Sequence, residues 1–192
     1  SFPMSRLEAL ALDELTEDQL AVLNAINSGP RGRGTPIGLV GPFGVWVRAP
    51  RIGMAVQALG GVARFETSIA EDVKEVAICV VGAHHQAKFE FAAHAGLARD
   101  AGVDSAALEN IRVGRVPDLD GSQLVAWSVA TELMDSHRLT DATYAQAISQ
   151  WNEEGLIELV SVVGYYCLVS LTLNAFDVPV LDNMEDPFPN AS

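Results

Sequence analysis

An all-α fold is what this sequence predicts, and three observations predict it. Nearly half of the residues are hydrophobic and alanine is abundant, a composition that suits packed helices. Aromatic residues are few, and long alternating runs of valine, isoleucine and threonine are absent, which argues against a sheet-rich fold. Apolar residues recur at helical spacing between capping residues and glycine or proline breaks. At 192 residues the chain is expected to form a single domain, long enough to bury a real core.

The elements follow in order. Thr16, with Gln19 three positions on, makes a capping box and opens a helix to about Asn27. Gly29, Pro30, Gly32, Gly34 and Pro36 make Gly29 to Pro42 a long loop: a lid, an arm reaching a neighbour, or a floppy surface excursion. Gly41 to Pro50 reads as a short helical turn. The next helix starts near Pro50, a proline suited to a first turn, and carries Ile52, Val56 and Leu59 towards Gly60–Gly61. Ser68 is the expected cap of a long helix with Glu71 and Asp72 in its first turn and Val73, Val76, Ala77, Val80 and Val81 at core spacing. Near His84–Gln86 that helix either continues or kinks and restarts, and it stops at Gly102.

Ser105 caps a short helix to about Arg112, and Val113 to Asp120 is a loop. Gly121 to His137 is helical, with Leu124, Trp127, Val129, Ala130 and Leu133 inward. Thr140 and Asp141 start a helix to about Glu153, Gly155 marks a tight turn, and a last helix runs from Leu156 to Phe176. The tail, rich in proline and acid, reads as an arm on the surface or on a neighbouring subunit.

Charge excludes some functions. A net charge of −13 argues against nucleic acid, whose binders need a basic patch, and against docking on an anionic membrane. The apolar stretch from Leu156 to Phe176 is interrupted by Glu158, Ser161, Ser170 and Asn174 and reads as a buried helix of a soluble protein. The opening residues show no basic, hydrophobic leader, and Cys79 and Cys167 form neither a Cys-x-x-Cys pair nor a zinc spacing. A cytoplasmic protein with reduced thiols is expected.

Chemistry concentrates between Glu75 and Gly102. This largely apolar stretch holds Glu75, Glu90, His84, His85 and His94, and ionisable groups are costly to bury unless paired or neutralised. A polar helix face turned to water is the plainer alternative. Glu90 and His94 are four apart, so on a helix they share a face and can hydrogen bond. A carboxylate against apolar walls has its pKa raised, and a histidine beside it exchanges a proton near neutrality. Together they make a cofactor-free acid–base site.

The segment EVAI, then GAHHQAKFEFAAHAGLARDAGV, resembles the carboxymuconolactone decarboxylase family, which shares its fold with the alkylhydroperoxidase D-like proteins. The flanks GPF…VRAP, VQALG…RFE and ELVSVVGYYCLVSLTLNAFDVP agree, so the resemblance covers about Gly41 to Pro179, leaving the N-terminal helix and the C-terminal arm outside the core. It implies an alkylhydroperoxidase D-like helical fold and a homo-oligomer, from dimer to hexamer.

In the peroxidase branch the motif is a glutamate, a Cys-x-x-Cys pair and a histidine. Here Glu75 and His94 match the first and last, while Ala87 and Glu90 stand at the two cysteine positions. Thiol cycling needs a thiolate and a resolving partner, so a thiol peroxidase is not expected. The resemblance implies a lyase acting on a small carboxylated ring or lactone from aromatic catabolism, with no cofactor and no obligatory metal. A hydratase, dehydratase or isomerase using the same groups, and a non-catalytic oligomeric protein that binds a small acid, are the alternatives.

The candidate catalytic residues are therefore Glu75, Glu90 and His94. His84, His85 and Arg48 are candidates to hold the substrate carboxylate, Arg48 because its planar fork binds two oxygens. Phe43, Trp46 and Phe65 would supply an apolar wall. Arg48 as a helix cap, and Tyr165 and Tyr166 as core aromatics, are the structural alternatives.

Overall fold

Helix α4 (Glu71–His84) is the centre of the molecule, and every residue from Val73 to Gly82 is buried. Around it pack α5 (Lys88–Asp100), α6 (Ser105–Arg112), α7 (Gly121–Ser136) and α8 (Asp141–Ala175), with α3 (Pro50–Phe65) against α8. The helices α1 (Glu17–Ser28) and α2 (Pro42–Val47) close a smaller cluster around Val22, Leu23, Ile26 and Val47. The computed structural model describes residues 5–32 and 36–192, and no strand occurs among the described residues. Of the loop expected from Gly29 to Pro42, residues 33–35 lie outside the described residues, as do residues 1–4; Pro30–Gly32 forms a single 3-10 turn.

The helix ends follow local chemistry. Thr16 and Gln19 form the expected capping box at the start of α1. Three other ends differ from expectation. Ser68 does not cap α4, whose N-cap is Ala70; the Ser68 amide and hydroxyl donate instead to Glu158. Asp104, not Ser105, caps α6 by accepting from the Ala107 amide. The break expected at Gly155 falls at Asn152, whose φ of 56° interrupts α8 and whose side-chain oxygen accepts from the Gly155 amide to restart the helix.

The inward face of α3 is built largely on small residues. Ile52 and Leu59 are exposed, and Gly53, Val56, Gly60 and Ala63 face the core. Glycine at 53 and 60 lets neighbouring groups press against the helix backbone, since a Cβ at 53 would collide with the Trp46 carbonyl and one at 60 with Tyr165. Leu124 of α7, expected inward, is part-exposed.

The second half of α8 is apolar and long enough to cross a membrane, yet half of that window is buried in this chain. Leu156, Leu159, Val162, Val163, Val169 and Leu173 form its inward stripe. The C-terminal tail returns across α5 and α6. Phe188 is buried against Phe91, Arg112 donates to the Pro187 carbonyl at 2.9 Å, and Lys88 pairs with Asp186 at 3.0 Å.

Candidate functional site

Between α4 and α5 the chain does kink and restart. His85 closes α4, Gln86 has a φ of 49°, the Ala87 amide donates to the Gly82 carbonyl and the Gln86 amide to that of Ala83. This is a Schellman turn, and it folds α5 back along α4. Glu75 precedes the cap by ten residues and His94 follows it by nine, so the hairpin sets the two side by side. His94 Nδ1 lies 2.7 Å from Glu75 Oε2, with Glu75 fully buried and His94 retaining 11% of its side-chain surface.

Three helices each contribute residues four apart. Glu75 and Cys79 come from α4, Glu90 and His94 from α5, and Tyr166 and Ser170 from α8; all six are buried. Ser170 Oγ donates to Glu90 Oε2 at 2.5 Å. The Tyr166 ring stands edge-on to His94 at 4.8 Å, and the Tyr165 ring edge-on to Tyr166 at 4.9 Å. Gly82 faces Glu90, where a Cβ would stand 3.0 Å from Oε2.

Two oxygens of this cluster, Glu75 Oε1 and Glu90 Oε1, are buried without a hydrogen-bond partner. Such an oxygen costs about 1–3 kcal/mol to bury, so a fold gains nothing by keeping two of them. Burial drives the Glu90 carboxyl well above its ordinary pKa, and the nearby Glu75 charge pushes the same way against the Ser170 bond. Glu90 sits in the first turn of α5, where the helix dipole favours the anion, but that dipole contributes about 0.3–1 kcal/mol and loses to desolvation. Glu90 is thus a neutral acid over a range where a surface glutamate is ionised.

A carboxylate oxygen only accepts, so with Glu75 as acceptor His94 Nδ1 is the donor of this bond and Nε2 is the ring nitrogen it leaves uncommitted. Burial and the neighbouring Glu75 and Glu90 raise the Cys79 thiol well above its ordinary pKa, which disfavours the nucleophilic thiolate. Cys167 is half-buried, lies 3.7 Å from the Met134 sulfur, and is also pushed up.

The other candidate residues stand elsewhere. Arg48 donates to the Gly44 carbonyl and, at 2.6 Å, to that of Glu8, so it closes α2 and ties down the N-terminal segment. His84 faces Asp135 of α7 at 4.0 Å and is part-exposed. The His85 carbonyl accepts from Asn174, and its Nε2 is buried without a partner. None of these three hydrogen bonds or pairs with Glu75, Glu90 or His94: Arg48 stands at the end of α2, and His84 and His85 at the end of α4 beside the Schellman turn. Trp46 is buried, 5.8 Å from Phe43 and 6.2 Å from Tyr165, while Phe65 is part-exposed at the end of α3.

Sequence reasoning missed Ser170 as a site residue. The available signal was a lone hydroxyl on the inward stripe of an apolar helix, one turn after Tyr166. The larger cavities lie outside the cluster. One of about 600 Å³ runs beneath the tail between Arg99, Arg112 and Glu185, and an apolar one of about 360 Å³ lies between Trp46, Ile52 and Phe176. Among the described residues no group of three or more His, Cys, Asp or Glu side chains is arranged to hold a metal ion.

No protein-family model matches the chain, and no curated protein matches it. Among solved structures, the chain is similar to the crystal structure of an alkylhydroperoxidase AhpD core protein, an uncharacterized peroxidase-related protein from Ralstonia eutropha JMP134. The two superpose with a TM-score of 0.76 over 95% of each chain at 14% sequence identity. The fold is the all-helical alkylhydroperoxidase D-like fold; at this identity the likeness concerns fold alone.

Proposed function

We propose that the chain is an acid–base enzyme that uses the Glu75–His94 pair and neutral Glu90 to move a proton to or from carbon, without a cysteine thiolate. The observation that carries this reading is the pair of unpartnered buried oxygens, Glu75 Oε1 and Glu90 Oε1, beside a histidine whose Nδ1 is already engaged. A structural pair would be satisfied on every side; a working one keeps capacity in reserve.

The reaction class that fits is decarboxylation, or a related proton transfer, on a small carboxylated ring or lactone. The bond from carbon to the carboxylate breaks, its electron pair passes into a conjugated enolate, carbon dioxide leaves, and carbon takes a proton. In this reading His94, oriented through Nδ1 by Glu75, takes a proton from solvent on Nε2 and delivers it to carbon, and Glu90 supplies a neutral O–H dipole toward the developing charge. The resemblance of Glu75 to His94 to the decarboxylase family, with Ala87 and Glu90 at the cysteine positions, supports a lyase over a peroxidase.

The test is turnover of carboxylated lactones in deuterium oxide by the wild type, His94→Ala, Glu75→Gln and Glu90→Gln, with folding checked by circular dichroism. The expected result is deuterium at the protonated carbon in the wild type and a loss of about a hundredfold or more in the histidine variant. Unchanged turnover in all three variants would end the proposal.

A further inference from the structure

Two guanidiniums meet at one aromatic ring on the far side of the tyrosine pair. Arg31, from the 3-10 turn Pro30–Gly32, places its guanidinium carbon 5.9 Å from the Phe65 ring centre and 5.5 Å from that of Phe43. Arg64, in the last turn of α3, lies 4.8 Å from the same Phe65 ring. Neither arginine has a carboxylate partner among the described residues, although the chain carries 25 acidic residues against 12 basic ones. Arg31 spends one N–H on the Gln57 carbonyl at 3.3 Å.

Bringing two like charges to one ring costs free energy that a cation–π contact, about 0.5–1 kcal/mol where exposed, does not neutralise. The arrangement is also built. Residue 60 is glycine, and a Cβ there would collide with both the Tyr165 hydroxyl and an Arg31 nitrogen, so the absence of a side chain is what lets these two groups sit together. From Tyr165 the edge-on rings continue through Tyr166 to His94. Arg31 and Arg64 both pull the Tyr165 hydroxyl down, whereas burial, which dominates, and Glu90 push it up to about 12. The arginines and the acid–base cluster therefore act on the same group.

We propose that Arg31 and Arg64, with the Phe65 ring they share and the Tyr165 hydroxyl alongside, form a recognition site for a small aromatic or cyclic carboxylate. The guanidinium forks hold the carboxylate and the phenylalanine rings wall the ligand. This deepens the acid–base reading and rests on it for one point only, that the bound anion is also the substrate. Arg48, by contrast, directs two of its N–H groups to the Gly44 and Glu8 carbonyls.

The probe is benzoate, titrated calorimetrically into the full chain at low salt, with benzamide as its uncharged counterpart. Benzoate is expected to saturate one site per chain, with benzamide weaker by about tenfold or more. Arg31→Met and Arg64→Met should each weaken benzoate by about fivefold or more, Arg31→Lys less so, and 0.5 M sodium chloride should weaken the wild type. The benzamide comparison needs no variant and stands even where a variant folds poorly. Equal binding of benzoate and benzamide, no binding of benzoate, or full affinity in both methionine variants would overturn the site. If the deep cluster is not catalytic, benzoate still binds and both methionine variants still lose it. If the arginine site is wrong, the selectivity for benzoate disappears whatever the turnover.

Discussion

Glu75 and His94 meet at 2.7 Å because a Schellman turn at Gln86 folds one helix back along the other. The turn makes the pair a property of the hairpin. Its geometry depends on α4, which is buried almost throughout, and on a single left-handed residue at the apex. Stability and site geometry are therefore coupled at a position that touches neither catalytic candidate.

Gln86→Gly tests that coupling. A non-glycine residue at positive φ costs roughly 1 kcal/mol, and Gln86 is exposed, so its side chain has little packing to lose. Gln86→Gly should raise the free energy of unfolding by about 0.5–1 kcal/mol in urea melts, and Gln86→Val should lower it by about 1–2 kcal/mol. The valine variant should also disturb the His94 ring resonances in NMR spectra. Equal stability of glycine and valine at this position would show that the turn is not strained.

Glu90→Gln should change the pH dependence of stability. The Glu90 carboxyl has a higher pKa folded than unfolded, so the folded state holds its proton more tightly. The stability it contributes is fully present below the ordinary value of 4.5 and is lost as pH rises through the higher folded value. Glutamine cannot ionise and still offers an oxygen to Ser170. The variant should match the wild type at acid pH and exceed it at alkaline pH, the gap growing by at most about 1.4 kcal/mol per pH unit inside the window. Parallel curves of stability against pH for the two proteins would show that Glu90 is not held neutral.

Much of this was legible in the sequence, and what was not has physical causes. The helices were, because capping and apolar spacing are local: Thr16 with Gln19 and the run Val73–Val81 sit as expected. Glu75, Glu90 and His94 were legible as a group through motif spacing. Arg48 offers a clamp or a helix cap on its chemistry alone; its tie to the Glu8 carbonyl, forty residues away, is a tertiary fact that spacing does not carry. Ser170 was missed because its partner is eighty residues away. Leu124 stands further out than its apolar spacing implies, because spacing marks a stripe without fixing how the helix is rotated against the core.

The two cysteines provide a direct check on thiol chemistry. Burial holds the Cys79 thiol protonated, and Cys167, half-buried, is shifted the same way. In the native protein Cys79 should resist alkylation by iodoacetamide at pH 8, while both thiols should react in denaturant, as followed by mass spectrometry. Cys79→Ala should cost about 1 kcal/mol through the small cavity it leaves, and Cys167→Ala less. Together the two changes should leave turnover of a carboxylated lactone within about twofold. Loss of turnover in the double variant would return the site to sulfur chemistry.

The outer stripe of α8 carries the remaining prediction. Ile157, Val160, Leu168 and Leu171 are exposed at helical spacing, and Gly164 among them has open space where a side chain would be. Ile52, Leu59 and Val62 of α3 are exposed as well. An apolar stripe with a glycine at its middle favours close approach of a second helix, and self-association is the expected use of it. Leu171 is 59% exposed, so Leu171→Glu should alter the stability of the single chain by no more than about 0.5 kcal/mol. A charge buried at an interface, by contrast, is strongly unfavourable. Light scattering after size exclusion should give a multiple of 20.5 kDa for the wild type and a smaller mass for the variant. A wild type that runs at 20.5 kDa across micromolar concentrations would rule out self-association through this stripe.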